Sequence, residues 1–417
     1  MADDGASEPP QSLTMIGARA IFGAVLVLFL FLAASIADRG AAADFAGPSL
    51  RVAFDGKPDL VFTPERDACD GADVPDAPLR AFRDNAGAVV AFGMHDVNRA
   101  LRGPALDALK LDCHVALASG HNADPAAYDD HNWITATWTN DGRVVDALVH
   151  HEYHANEHQG RCAFHDFMAC WYNTITAYRS LDGGRNFSKN PAGLVVAAPP
   201  FRQDVGQGRH RGFFNPSNIV ADGPYYYFMA ATTGWSGQTA GVCLFRTRIP
   251  SDSSSWRAFD GTNFTARFAD PYAPRKAASG AQSCQPIAPF PTPVGAIVRH
   301  RPSGDWLALF QAQKQPTGPF AVSGFYYATS HDLLHWSAPL LALAGDTLYD
   351  DPCGAGGQLI NYPSLLDPDS KNRNFADIGD NARLFYVTLA VDGCSVTSRR
   401  DLMSQRVRIE RPAAVPK

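Results

Sequence analysis

Hydrophobic positions along this chain recur in short runs with a period of two, and the runs end in polar turns. Trp133-Ile134-Thr135-Ala136-Thr137-Trp138 alternates, passes through Asn140-Asp141-Gly142, and resumes at 144–149. An Asp-Gly pair between two such runs predicts a β-hairpin. The same layout recurs at 217–220 with the turn Asp222-Gly223 and the run 225–229. It recurs again at 295–298, Ser303-Gly304-Asp305 and 306–310. Residues 88–92, 363–366 and 383–387 predict further strands. Strand-plus-turn endings punctuate the chain at 115–119, 175–180, 242–247, 325–330 and 395–402. A helical period is clearest over 96–111, with Gly103-Pro104 breaking it internally.

These repeats predict an all-β protein. Radial repetition of antiparallel units leaves only short, protected edges, which points to a five-bladed β-propeller. Each unit spans roughly 75 residues against about 40–50 for a plain blade, so long loops are expected. Six blades or paired β-sandwiches would also satisfy the strand pattern. The expected organisation is a signal or anchor at 1–43, a linker or closing strand at 44–70, and the propeller domain at 71–410.

A hydrophobic fraction of 46% supplies a large core and excludes general disorder. The net charge of -6 argues against a nucleic-acid partner, which would want a positive face. Residues 20–37 form an unbroken apolar run behind Arg19, with Ser35-Ile36-Ala37 as a small-residue exit. That is the layout of a secretory signal. An uncleaved anchor is the alternative, because the run can just span a bilayer. Either puts the rest of the chain outside the cytoplasm, secreted, periplasmic or membrane-anchored, and membrane contact is expected only through this segment. All 8 cysteines lie beyond it, and none form C-x-x-C. Disulfides are expected in such a compartment. Neighbour pairing (69–113, 162–170, 243–284, 353–394) is expected because it staples local units.

Several short pieces carry a resemblance. Ser180-Leu181-Asp182-Gly183-Gly184-Arg185-Asn186-Phe187 matches the Asp-box pattern of sialidase-like propellers. Thr329-Ser330-His331-Asp332-Leu333-Leu334-His335-Trp336 resembles the blade ends of five-bladed glycoside hydrolases of family 43. Asn215-Pro216-Ser217-Asn218 and the Tyr-rich run after Asp222-Gly223 resemble a strand pair of the same family. The resemblance implies hydrolysis of a carbohydrate by two carboxyl groups, with Asp76 as general base and an inverting outcome. Asn215 stands where the family pattern has Asp.

Glycoside hydrolysis needs one neutral and one ionised carboxyl facing a pocket. Glu152, beside His150, His151, Tyr153 and His154, is the candidate acid, because aromatic and imidazole neighbours can hold it neutral. Asp130 would orient substrate or tune a partner. Arg80 could bind an anionic sugar or fix a carboxylate. His151, Asn215, Trp133 and Tyr362 complete the candidate substrate-binding set. Bland roles compete: a turn for Asp76, a loop cap for Asp130, an ion pair for Glu152. His150, His151, His154 and His158 do not form H-E-x-x-H. Imidazoles lining a sugar pocket, a solvated surface and a metal site all stay open. No metal or cofactor is assigned; a structural calcium stays open but is not indicated. There is no P-loop and no G-x-S-x-G. A lectin-like binder or an extracellular scaffold are the rival functions. Oligomeric state is open.

Overall fold

The computed structural model describes residues 47–274 and 282–411. The expected signal or anchor at 20–37 therefore lies outside the described residues. Strand β1 (Arg51–Phe62) stands alone at first. The first meander follows as β2 (Pro75–Arg83), β3 (Val89–Met94), β4 (Arg99–Gly103) and β5 (Lys110–Val115), antiparallel in chain order. The second holds β6 (His131–Trp138), β7 (Val145–His154), β8 (Trp171–Ser180), β9 (Ser188–Lys189) and β10 (Val195–Ala197). Both short strands lie against β8. The third holds β11 (Arg211–Phe214), β12 (Val220–Asp222), β13 (Tyr225–Thr232), β14 (Gly241–Thr247), β15 (Arg257–Phe259) and β16 (Phe264–Ala266). Here β11 pairs parallel with β8 and antiparallel with β13, so it stitches the second meander to the third.

The fourth meander is β17 (Val294–His300), β18 (Trp306–Ala312), β19 (Gly324–Ser330) and β20 (Leu340–Ala344). The last comprises β21 (Gln358–Leu366), β22 (Asp377–Ile378), β23 (Asn381–Asp392) and β24 (Ser395–Glu410), with β22 paired to β17. Strand β1 pairs antiparallel with β24 and completes this sheet. The first strand and the last are thus hydrogen-bonded neighbours.

The helix expected over 96–111 does not form. Those residues make β4, a 3-10 turn at Leu106–Ala108 and the start of β5. Gly103 explains the outcome, because a Cβ there would lie 2.3 Å from the Ala108 carbonyl oxygen. Pro104 next to it cannot donate to a helical ladder. The strand expected at 115–119 ends at Val115, just as the loop to β6 begins.

The core lies between meanders. Phe82, Val90 and Phe92 of the first pack with Ile134, Val149 and Tyr178 of the second. Trp306 and Phe310 share a cluster with Phe228 and Phe245. Sheets stacked face to face cover an inner strand on both sides, which is why β6 is buried along its whole length.

Asparagine amides clip the meanders together. Asn98 accepts from the Ile134 amide at 2.7 Å and donates to the Asn132 carbonyl at 2.7 Å. Asn218 does the same with Ile297, at 2.8 and 2.7 Å. Asn374 repeats it with Thr139, at 2.8 and 2.9 Å. A side-chain amide carries donors and an acceptor in the same plane, so it substitutes for a strand where adjacent sheets diverge.

Two turns share one device. Asp182 Oδ1 accepts from the amides of Arg185 and Asn186, and Asp332 Oδ1 from those of Leu334 and His335. Phe187 and Trp336 then bury behind their turns. The cysteines pair as 69–113, 162–170, 243–284 and 353–394, the neighbour pairing expected. These four bridges fit an oxidising environment. Among the described residues no helix is long and apolar enough to cross a membrane.

Candidate active site

The register of the second meander builds the site. His131 on β6 faces Glu152 on β7, which faces Asn173 on β8. Side chains alternate along a strand, so His150, Glu152 and His154 share one face of β7, and His151 and Tyr153 share the other. Contacts follow that rule. His154 Nε2 lies 2.9 Å from Glu152 Oε2, and His150 Nδ1 lies 3.5 Å from Glu152 Oε1. His151 instead packs edge-on against Tyr128, and its Nε2 accepts from the Asp130 amide at 3.4 Å. It is 1% exposed, and burial pushes its imidazole down to about 3. His151 therefore lies on the face of β7 opposite Glu152, and its neighbour His150 shares the face that carries Glu152.

A chain of hydrogen bonds orients His150. Asn173 Nδ2 donates to His150 Nε2 at 2.6 Å, so the ring proton sits on Nδ1, toward Glu152. His210 Nε2 donates to Asn173 Oδ1 at 2.7 Å. Burial pushes His210 down to about 4 and His150 well below the usual histidine range, so both rings are neutral. The Asn215 side chain lies beside His150 and opposes that fall. Its backbone adopts φ 49°, in the left-handed region.

Burial raises the Glu152 carboxyl above the usual glutamate range, against the downward pull of His154. Asp130 behaves oppositely. It is fully buried, yet His131 and the His154 amide outweigh the burial and hold it at about 2. Its Oδ2 accepts from the His154 amide at 2.8 Å, and its Oδ1 lies 3.0 Å from His158 Nε2. Asp130 thus fixes the end of β7 and the imidazoles around it. The two acids sit in environments that push them apart, the arrangement that divides acid and base roles.

Asp76 enters from β2. Tyr362 Oη donates to its Oδ1 at 3.0 Å, Arg400 of β24 pairs with the same oxygen, and His95 Nε2 lies 3.5 Å from Oδ2. A bulge in β21 between Asn361 and Ser364, with Tyr362 at φ 55°, turns the phenol to reach Asp76. A continuous run of rings links the two ends. His95 packs edge-on against Trp133, His131 lies over Trp133, and His131 stacks on His154 at 4.2 Å. Glu152 and Asp76 also lie close enough for the charge of Asp76 to raise Glu152.

Of the expected site residues, Asp76, Asp130, Glu152, Asn215, Trp133 and Tyr362 all belong to this network. Trp133 is buried, so its faces serve the neighbouring imidazoles. Arg80 does not belong to it. Its guanidinium is buried and donates to the carbonyls of Thr135, Gly295 and Pro216, from three different meanders. Its guanidinium thus ties backbone of neighbouring meanders, away from Asp76 and Glu152. A narrow cavity lies beside Arg80 and includes neither Asp76 nor Glu152.

His95, Asp96, His131, Asn173, His210 and Arg400 were not singled out as site residues. Lone histidines scattered over 95–210 give no local pattern, and only the β6–β7–β8 register collects them. Two groups bring three donor atoms within 4.8 Å of one another: Asp96, His121 and His131, and His131, His154 and Glu157.

No protein-family model matches the chain, and no curated protein matches it. Solved structures do. A protein of unknown function from Dyadobacter fermentans is 10% identical, with a TM-score of 0.50 over 87% of this chain and 100% of that one. At that identity the likeness is one of fold alone. The α-L-arabinanase of Cellvibrio cellulosa, solved with arabinohexaose, is 12% identical over 80% of this chain and 92% of its own, with a TM-score of 0.44. A thermostable family-43 glycoside hydrolase is 13% identical over 85% and 98%, with a TM-score of 0.41. Neither of these two carries weight for activity.

Proposed function

We propose that this protein is an exported glycoside hydrolase on a five-bladed β-propeller, cleaving a polysaccharide or glycoconjugate. The five meanders are its blades, and β1 closes the ring against β24. The convergence of Asp76 and Glu152, from different meanders, on one buried imidazole-lined network supports this function above all else. Glu152 is the general acid: burial favours its protonated form, and the His150 and His154 rings fix its two oxygens. Asp76 is the general base, held by Tyr362 and Arg400. Asp130 positions His154 and His131. An inverting outcome follows from the resemblance to family 43, in which the base activates water on the face opposite the leaving group. The four disulfides support export.

Asn215 favours a second function, carbohydrate binding without cleavage, because an amide stands beside His150 where the family pattern has a carboxylate. A panel of plant and bacterial glycans separates the two. Release of new reducing ends by the wild type supports the hydrolase. Saturable binding with no release supports the binder, and neither outcome on any glycan overturns both.

A further inference from the structure

We propose that Asp96, His121 and His131 bind one divalent transition-metal ion of the zinc class in the wall of this site. Their donor atoms lie within 4.8 Å of one another. Two imidazoles and one carboxylate suit zinc, which is held by three protein ligands where a fourth position is left for water or a substrate oxygen. Tetrahedral ligand atoms sit about 3.4 Å apart around zinc, so the trio closes by a small swing of one ring. His121 can make it: its side chain is exposed and its ring meets His131 edge-on at 4.6 Å.

The surroundings are those of a prepared ligand set. His131 is 8% exposed and turns its Nδ1 to Asp130, leaving Nε2 for the ion. Asp130 Oδ1 lies 3.3 Å from the His131 Nδ1, the placement of a carboxylate that orients a metal-bound imidazole through its other nitrogen. Asp96 is 5% exposed, and His95 Nδ1 occupies its Oδ1 at 2.6 Å, leaving Oδ2 for a ligand. The loop that presents His121 is pinned, with the Asn122 amide donating to the Asp129 carbonyl at 2.8 Å. The competing trio of His131, His154 and Glu157 is less suited. His154 already bonds Glu152 through Nε2 and Glu157 through Nδ1, so it has no free nitrogen.

The test is calorimetric titration of untagged, chelator-stripped full chain with zinc chloride, repeated with cobalt(II) to read its visible d–d bands. The expected result is about one ion per chain, weakened at least about tenfold by Asp96→Asn and by His121→Ala. His121→Ala alters an exposed side chain, and circular dichroism checks that it folds. Glu157→Gln and the distant His335→Ala should leave the affinity within about threefold, well short of the loss expected for a ligand. No saturable binding to the wild type, or an affinity unchanged by His121→Ala, would overturn the proposal. Loss of binding in Glu157→Gln with His121→Ala unaffected would overturn it in favour of the other trio. The titration needs no turnover, so its failure is distinct from failure of the hydrolase proposal.

Discussion

Glu152 sits between two imidazoles, and their unequal effects make its chemistry testable. Burial raises its carboxyl, and the His154 bond opposes that rise. A general acid works only while protonated, so kcat/KM falls as pH climbs past its pKa. Replacing His154 by Phe keeps a stacked ring but removes the opposing bond. The Glu152 pKa then rises further, and the alkaline limb of the pH–rate profile moves to higher pH. A limb that stays put or moves to lower pH would remove Glu152 from the acid's role. Asp76, Asp130 and Glu152 were legible only as candidates, from their places at strand entries and ends and from the family resemblance; their meeting in one network needs the register of separate meanders. That His150 and not His151 shares a face with Glu152 was not legible, since a run of adjacent imidazoles gives no phase until the strand's register does. Arg400 was illegible for another reason. It sits in a polar stretch that looks like a turn, and its partner Asp76 is 324 residues away.

Hairpins with Asp-Gly or Ser-Gly-Asp turns were the most legible elements, because both signals are local. The 96–111 helix misled because its period was real but its Gly103-Pro104 break decided the structure. Strand β24 runs to Glu410, well past Leu402 where the expected fifth ending stops, because β1 from the far end of the chain pairs with it. Nothing local encodes that partner. The asparagine clips make a prediction at this scale. Asn218→Ala leaves the Ile297 amide and carbonyl, in a fully buried residue, without partners. Each unsatisfied buried group costs about 1–3 kcal/mol, so urea unfolding should show a clear loss of stability of about that size or more. An unchanged midpoint would mean that the inter-meander amide bonds contribute nothing.

The five meanders are closed into one molecule by β1 and by Arg80, and each of the four bridges ties residues of one meander or its loops. Three of those bridges enclose 44, 41 and 41 residues of chain separation, and one encloses 8. In the chain-entropy view each long loop contributes about 4 kcal/mol. Reduction under native conditions should therefore lower Tm by more than about 10 °C. Serine at both Cys162 and Cys170 should cost least. A Tm indifferent to reductant would contradict a stapled, exported fold. The pairing was legible because each bridge is local to one repeat, whereas the closure by β1 joins the two ends of the domain and stayed open between linker and strand. The central claim is that Asp76 and Glu152 perform the cleavage. The most direct measurement is hydrolysis of the best glycan by wild type, Asp76→Asn and Glu152→Gln, with binding followed in parallel. The account predicts that each variant still binds and loses about 10²–10⁴-fold in kcat. Full activity in either variant would contradict it.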